Sequence, residues 1–400
     1  MMDDELLESL HQSLDDCTKA RLEEAVNRIV RAKENGQKVV VVTGSGPNIH
    51  EGVTTLIAEL MRLGVVDGVS TSSAVVAHEM GGTLDKVKRC NGIELGLNSD
   101  LLPRGDDFEL TLMARQVAEE IRRSMDVDSS LIARLERAEG KTIIKAAGNL
   151  GYPMGLWIER VSNEIVALAR DRGLSFEEVA GLGADRRTMI GAGAKLKLPV
   201  LVTIPQLVGG GATGLAIGDS LSITERALRL ARMLDSADVI IESAVALTQE
   251  IHDGPYELYT GHGLWSAWDK GYSYSLRGKS LIRLDLDPAL ETVYQAEQGD
   301  SAVQQAIADG LPKTKMFKVP FRMEMSGFAR HEGSLPIIGD IGVIWPLMAV
   351  RISKRLGLDL EFISYPQHTE SGKTMREAIV NDIHPISRGR MLDALGIKGE

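Results

Sequence analysis

Hydrophobic positions along this chain alternate between a strand rhythm and a helical rhythm, most clearly between Lys38 and Gly82. There an apolar β-branched run, Val39 to Val42, ends in a glycine-rich polar turn, a helical pattern follows, and Val65-Val66-Asp67-Gly68-Val69 starts a second strand. The order predicts one βαβ unit. Parallel strands in such a unit are covered on both faces, so they read as continuous Val and Ile runs, and ligands bind outside their carboxyl ends. Both carboxyl ends here are polar: Thr43-Gly44-Ser45-Gly46 with Asn48 and His50 after the first, Ser70 to Ser73 with His78 and Glu79 after the second.

Upstream, Glu5 to Lys33 carries Leu6, Leu7, Leu10, Leu14, Leu22, Ala25 and Ile29 at helical spacing, and Gly36 stands where a helix-ending glycine belongs. Downstream, Asp107 to Ala138 reads as one or two helices, Gly151-Tyr152-Pro153 breaks the pattern, and Gly155 to Arg172 reads as the next helix. Ser175 and Glu178 have capping-box spacing, and Asp185 is placed to cap a helix running to Leu196. Strands are expected from Leu198 to Ile204, Val239 to Glu242, Ser280 to Leu286, Pro336 to Gly339 and Leu360 to Ser364. Helices are expected from Ile223 to Leu234, from Ala289 onward, and from Val343 to Leu356. Strands alternating with helices imply an α/β fold: a doubly wound, mainly parallel, Rossmann-like sheet with helices on both faces, behind a helical N-terminal lead-in. The expected division is a helical segment over 1–36, a first α/β subdomain over 37–150, a helical connection over 151–197, a second, nucleotide-binding α/β subdomain over 198–370, and a tail over 371–400.

Composition narrows the class. With 400 residues and 44% hydrophobic content the chain can bury a large core. Its net charge of −11, without a basic cluster, argues against nucleic acid as a partner. Two cysteines, Cys17 and Cys90, form neither a disulfide framework nor a four-thiolate metal site, which fits a reducing cytoplasm. The acidic N-terminus lacks a signal-peptide core, and no window reaches the ~18 apolar residues of a spanning helix. Metal binding is not expected, since no H-x-x-x-H or C-x-x-C spacing occurs.

Several motifs compete for a functional role. Gly209, Gly211 and Gly214 satisfy G-x-G-x-x-G, but Ser222 and Glu225 put a helix start about eight residues later, so a glycine-rich loop over a site is the expected form. Ser371-Gly372-Lys373-Thr374 mimics the end of a P-loop, yet Gln367 sits where the first glycine should be. The turn Thr43 to Gly46 lies directly between strand and helix, where its glycines allow close backbone approach and the following amides favour an anion; a plain tight turn would use the same residues. Asp285-Leu286-Asp287-Pro288 offers a carboxylate to ribose hydroxyls at Asp285, and an N-cap with Pro at N1 through Asp287 and Pro288. Gly339-Asp340-Ile341-Gly342 repeats this geometry at the next strand end. Six of the 17 aromatic residues (Tyr256, Tyr259, Trp265, Trp268, Tyr272, Tyr274) fall between His252 and Arg277, a density suited to a stacking wall, a lid or a subunit interface.

The first block, from the strand and its His50-Glu51-Gly52 turn through LMRLGVVDGV to AVVAHEM, resembles the ornithine cyclodeaminase domain of archaeal and cyanobacterial proteins. That domain is also labelled lysine-oxoglutarate reductase/saccharopine dehydrogenase-like (LOR/SDH-like), and it forms the C-terminal part of certain arginine dihydrolases. Farther along, ADVIIESAVAL, LIRLDLDPALETVYQAEQGDSA and IIGDIGVIWPLM resemble its last three strand-helix steps, so the likeness covers about half the chain. A more distant similarity, in fold pattern only, is to deoxyhypusine synthase.

The resemblance implies NAD held by Gly44, Ser45, Gly46, Asn48, His50, Ser73, Ala74, Ser243, Ala244, Asp285, Asp287, Asp340, Ile341 and Gly342. It also implies a proton-transfer pair, His78 and Glu79, although adjacent helical residues point about 100° apart and either could instead be a surface or capping residue. Ser72 or Ser73 would otherwise simply cap a helix. Where the family carries a charged loop, this chain has PQLVGGGATGLAIGDS, with Asp219 as the anionic group left for a substrate amine. Two readings follow. One is an NAD-dependent, ornithine cyclodeaminase-like lyase acting on an amino acid or amine by transient hydride transfer, with deoxyhypusine or homospermidine synthesis as a variant; the enzyme would be a cytoplasmic homo-oligomer. The other is a nucleotide-binding protein without catalysis, which the neutral glycine-rich loop favours.

Overall fold

Strand β1 (Val39–Thr43) is buried at every position because it is covered on both sides. Val39 and Val41 face one apolar cluster and Val40 and Val42 another. In the computed structural model β1 pairs in parallel with β2 (Gly68–Thr71) on one side and with β7 (Val239–Ser243) on the other. The sheet is completed by β6 (Val200–Val202) beyond β2, and by β8 (Ser280–Asp285) and β9 (Ser334–Ile338) beyond β7, giving the order β6-β2-β1-β7-β8-β9 with every pairing parallel. This is the doubly wound α/β sheet the alternating pattern implied. The chain reverses its direction of travel across the sheet between β1 and β7, and a crevice outside the strands at such a point is where α/β sheets bind ligands. The structure describes residues 2–44, 46–146, 151–203, 210–244, 256–265, 271–299, 301–319 and 331–397.

The lead-in is two helices, α1 (Asp4–Ser13) and α2 (Asp16–Glu34), separated because the Asp15 carboxylate caps a new start by accepting from Thr18 N. After β1 come the single turn α3 (Pro47–His50) and α4 (Val53–Arg62); after β2 comes α5 (Ser73–Gly81), capped by Ser72. A second, antiparallel sheet of three strands follows in the order β4-β3-β5: β3 (Asp85–Asn91), β4 (Asp107–Thr111) and β5 (Lys141–Lys145). It carries α6 (Arg115–Ser124) and α7 (Ser129–Arg137), and Cys90, Leu95, Leu110 and Leu135 form its small core. The stretch from Asp107 expected to be helical therefore opens as a strand: its short alternation of polar and apolar residues pairs with β3 through Cys90 and Phe108.

Next are α8 (Met154–Arg172), α9 (Phe176–Gly183), whose Ser175/Glu178 capping box forms as the spacing suggested, and α10 (Met189–Leu196). The cap of α10 is Thr188, not Asp185, because the Asp185 carboxylate is taken by the Arg187 guanidinium and backbone N–H. The expected glycine-rich loop is, from Gly211, a helix: α11 (Gly211–Ser220) opens at the glycines themselves and packs on α8 through a Thr213–Ser162 hydroxyl contact of 2.9 Å. Gly209 lies outside the described residues. Then come α12 (Ile223–Ser236), α13 (Ala289–Gly299), α14 (Ser301–Ala308), α15 (Lys313–Phe317), α16 (Ile341–Leu356), α17 (Glu370–Asp382) and α18 (Arg388–Ala394). Residues 360–364 form no strand; the Glu361 amide donates to the Glu59 carboxylate at 2.7 Å instead of to a neighbouring ladder. Among the described residues no helix is long and apolar enough to cross a membrane.

Candidate functional site

Five strand ends of the large sheet bring most of the sequence-selected residues to one edge. At the reversal point, Asn48 Nδ2 donates to the Ser243 carbonyl at 3.0 Å, the Ser243 hydroxyl donates to Asn48 Oδ1 at 2.5 Å, and Trp345 Nε1 donates to the same hydroxyl at 2.7 Å. These three side chains bridge α3, β7 and α16 and are fully buried. Asn48 and Ser243 thus hold the edge together. Gly46 has φ +63°, and a Cβ there would meet nothing within 4 Å, so open space lies before the backbone of this turn. Ala244 also has a positive φ, +49°, directly after β7. Ser45 lies outside the described residues.

The turn Thr43–Gly46 offers an anion little help from the helix that follows. The helix it opens is a single turn whose N1 residue, Pro47, has no N–H, so few amides and little dipole face outward. At β8, Asp285 Oδ1 accepts from the Asp287 amide at 3.0 Å and its other oxygen lies 3.8 Å from Arg283, while Asp287 accepts from the Ala289 amide at 2.8 Å. At β9, Asp340 caps α16 by accepting from the Gly342 amide at 2.8 Å. Ile341 is buried, and Gly342 is required by packing, since a Cβ would come 2.7 Å from Glu51 Oε2. The Glu51 carboxyl, raised above its ordinary pKa by burial, accepts from the Gln367 amide at 2.6 Å. Ser72 caps α5 through the Val75 amide, and Ser73 and Ala74 are buried in its first turn. Gly44, Gly46, Ser243, Ala244, Asp285 and Asp340 therefore line consecutive strand ends, an arrangement a dinucleotide could span.

His78 and Glu79 are separated by the 100° step of their helix and have different surroundings. Both Glu79 oxygens accept backbone amides at the start of α10, Met189 at 2.8 Å and Ile190 at 3.0 Å. Burial raises its pKa to about 7 against the effect of those two bonds. Its geometry is that of a helix-capping carboxylate. His78 points the other way, toward Asp85 at the start of β3, with Nδ1 and Oδ2 4.0 Å apart. Both atoms are buried without a hydrogen-bond partner among the described residues. Burial, then His50, pushes the His78 pKa down to about 4; burial pushes Asp85 up to about 7, which Lys145 opposes. Near neutral pH they are a neutral imidazole beside a carboxyl in mid-titration, a poise suited to moving a proton. Thr83, two residues before Asp85, is buried with φ +74°, a strained backbone for a β-branched residue and of the kind found where a site fixes a side chain.

Around this pair stand His50, whose Nδ1 is 3.4 Å from Arg376 Nη2, and Lys145, paired with Glu109 at 2.6 Å. Arg376, on α17, donates to the Ile144 carbonyl at 2.5 Å, and its buried Nε has no partner among the described residues. Burial lowers its pKa and that of His50. Sequence reading found His50 and His78 but missed Asp85, Lys145 and Arg376, because they come from the antiparallel sheet and the last helices; the only linear signal was an acid shortly after a helix-ending glycine pair. Asp219 does not join them. It is exposed at the C-terminal end of α11, 3.3 Å from Arg170.

No family model and no curated protein matches the sequence. Among solved structures, similar ones include AgrE in ternary complex with ornithine and NAD+ (14% identity, TM-score 0.41, 84% of this chain and 33% of that one). Others are a LOR/SDH protein from Methanococcus maripaludis S2 (11%, 0.40, 86% and 70%) and ArgZ, an arginine dihydrolase from the ornithine-ammonia cycle in cyanobacteria (12%, 0.39, 86% and 32%). These are proteins of the kind the sequence motifs resemble. The chain spans about a third of the length of AgrE and ArgZ.

Proposed function

We propose that this chain is an NAD-dependent enzyme acting on an α-amino acid, with ornithine cyclodeaminase-like lyase chemistry as its specific form. The observation that carries the reading is the buried, mutually facing His78 and Asp85, with His50 and Arg376 beside them, at the carboxyl ends of β1 and β2. Gly44, Gly46, Ala244, Asp285 and Asp340 would hold the dinucleotide along the neighbouring strand ends, with Asp285 offering its carboxylate to ribose hydroxyls. Bound NAD supplies a hydride acceptor that can return the hydride later in the same turnover.

The chain's own part is to position substrate and move protons. Arg376, whose buried Nε has no partner among the described residues, would pair with a substrate carboxylate admitted beside it, and Asp85, ionised in part at neutral pH, would accept a proton from the substrate ammonium. His78, kept neutral by burial, faces the Asp85 carboxyl at 4.0 Å without adding a second charge and is placed to hydrogen-bond it as it ionises. Glu79 assists indirectly, by fixing α10 against the helix that carries His78. The exposed Leu258, Tyr259, Leu264 and Trp265 favour the subunit-interface reading of the aromatic segment, and so a homo-oligomer; Trp268 and His252 lie outside the described residues.

The test is turnover with substrate deuterated at the amine-bearing carbon. Deuterium retained in product without net NADH, together with a ~10²–10⁴-fold loss of turnover in His78→Ala at unchanged NAD affinity, is the expected result. A screen of amino acids showing no NAD-linked conversion would refute it in favour of a nucleotide-binding protein without catalysis.

A further inference from the structure

The opposite end of the sheet holds a cavity that the proposed chemistry does not use. It measures about 690 Å³ and runs along the outer edge of β6, between α9, α10 and α12. Its floor is apolar, from Leu174, Leu182, Ile190, Leu198 and Met233, and Lys38, Lys197 and Arg232 stand on its rim. Lys38 precedes β1 and Pro199 precedes β6, so the cavity lies at the amino ends of the strands, away from His78 and Asp85.

β6 is an edge strand, and its exposed backbone is treated in two different ways. At Val202 the edge is closed: the N–H donates to Glu177 at 2.8 Å and the C=O accepts from Arg226 at 2.9 Å, while those two side chains form a buried ion pair at 2.7 Å. Pro199 faces the other way, its carbonyl accepting from Val69 in β2. Residues two apart in a strand turn their polar groups to the same side, so Val200, like Val202, directs its N–H and C=O away from β2 and into the cavity it lines. Among the described residues the result is one open donor-acceptor pair beside an apolar slot. Gly193 lets α10 pack directly against β6 beside the slot, since a Cβ there would meet Val200 Cγ2 at 2.6 Å.

Charge completes the pattern. Arg229 is matched by Glu178 and Glu225, both at 2.8 Å, and Glu177 by Arg226. Among the described residues Lys38, Lys197 and Arg232 have no carboxylate within ion-pair distance, and Arg232 lies 5.8 Å from the Tyr272 ring centroid. Counting Arg226 and Arg229 against Glu177, Glu178 and Glu225, this leaves a local excess of two cations on a chain of net charge −11.

We infer that the β6-edge cavity binds an anionic mononucleotide, its base in the apolar slot with an acceptor-donor edge on Val200 and its phosphate on Lys38, Lys197 and Arg232. A continuous peptide strand fits less well, because the Glu177–Arg226 pair closes the edge after a single residue. A volume of several hundred Å³ with few convergent polar groups is that of a small-molecule site.

Calorimetric titration of the full chain with AMP, ribose 5-phosphate and adenosine tests this without reference to turnover. AMP, whose N1 and 6-amino group match the Val200 edge, should bind about tenfold or more tightly than either fragment, and Lys197→Glu and Arg232→Glu should each weaken it about tenfold. AMP is also a fragment of NAD, so Asp285→Ala, at the other end of the sheet, should remove at most a separate component of AMP binding and leave the Lys197-dependent component unchanged. The inference is overturned if AMP fails to bind at millimolar concentration, or if ribose 5-phosphate binds as well as AMP. It is also overturned if Asp285→Ala rather than Lys197→Glu abolishes binding, or if light scattering shows a dimer that Lys197→Glu dissociates, which would make a second copy the occupant.

Discussion

Replacing Asp85 with Asn should make the protein more stable at alkaline pH while abolishing activity. The carboxyl is buried at 3% exposure, and burial lifts its pKa from 3.8 to about 7. At ~1.4 kcal/mol per pH unit, that rise places about 4 kcal/mol between the protonated and ionised forms in the folded state, a ceiling for the effect. The folded-state pKa lies above that of the unfolded chain, so the associated stability is fully present below pH 3.8 and is lost as pH rises through about 7. Asn is neutral throughout and escapes this loss. Single-site linkage with these pKa values gives a change in the stability difference between variant and wild type of about 3 kcal/mol between pH 5 and pH 8.5, in favour of Asn at the higher pH. Glu79 titrates in the same window but is common to both proteins and cancels. Urea unfolding of the two proteins at the two pH values measures the difference directly. If Asp85→Asn is the less stable protein at pH 8.5, or if the difference does not change with pH, then the Asp85 carboxylate is held as a satisfied ion by Lys145 or His78. The reasoning that makes it a poised proton acceptor then fails.

Three further outcomes follow from the same geometry. Arg376→Ala should raise KM for an amino acid about tenfold or more while leaving that for the corresponding amine unchanged, because only the former offers a carboxylate to Nε; equal effects on both would reduce Arg376 to a structural role. Asp285→Ala should weaken NAD binding by about 1–3 kcal/mol in a calorimetric titration, the cost of leaving hydrogen-bonding hydroxyls without a partner. Glu79→Ala should destabilise the fold by about 2–4 kcal/mol in urea, since it strands the Met189 and Ile190 amides at the start of α10, and a loss of turnover without a loss of stability would show that this carboxylate works on substrate instead.

Local pattern alone determined the parallel sheet. Val39 to Val42 is a continuous apolar run because helices cover both faces, and the caps Ser175/Glu178, Ser222 and Asp287 are legible because capping depends on residues two or three apart. The polar strand ends were legible for the same reason, since a strand that stops in Thr-Gly or Asp-Leu-Asp-Pro marks its own carboxyl edge. What the chain brings to that edge from elsewhere was decided only by tertiary structure. Asp85 reads in sequence as an ordinary polar residue after a Gly-Gly turn, and its shifted pKa comes from desolvation, which depends on everything packed around it. Likewise, nothing in the letters separates the two neighbours His78 and Glu79. The helix turns one toward the antiparallel sheet and Asp85, and the other toward two amides 110 residues away, so that one faces the candidate chemistry and the other holds the scaffold.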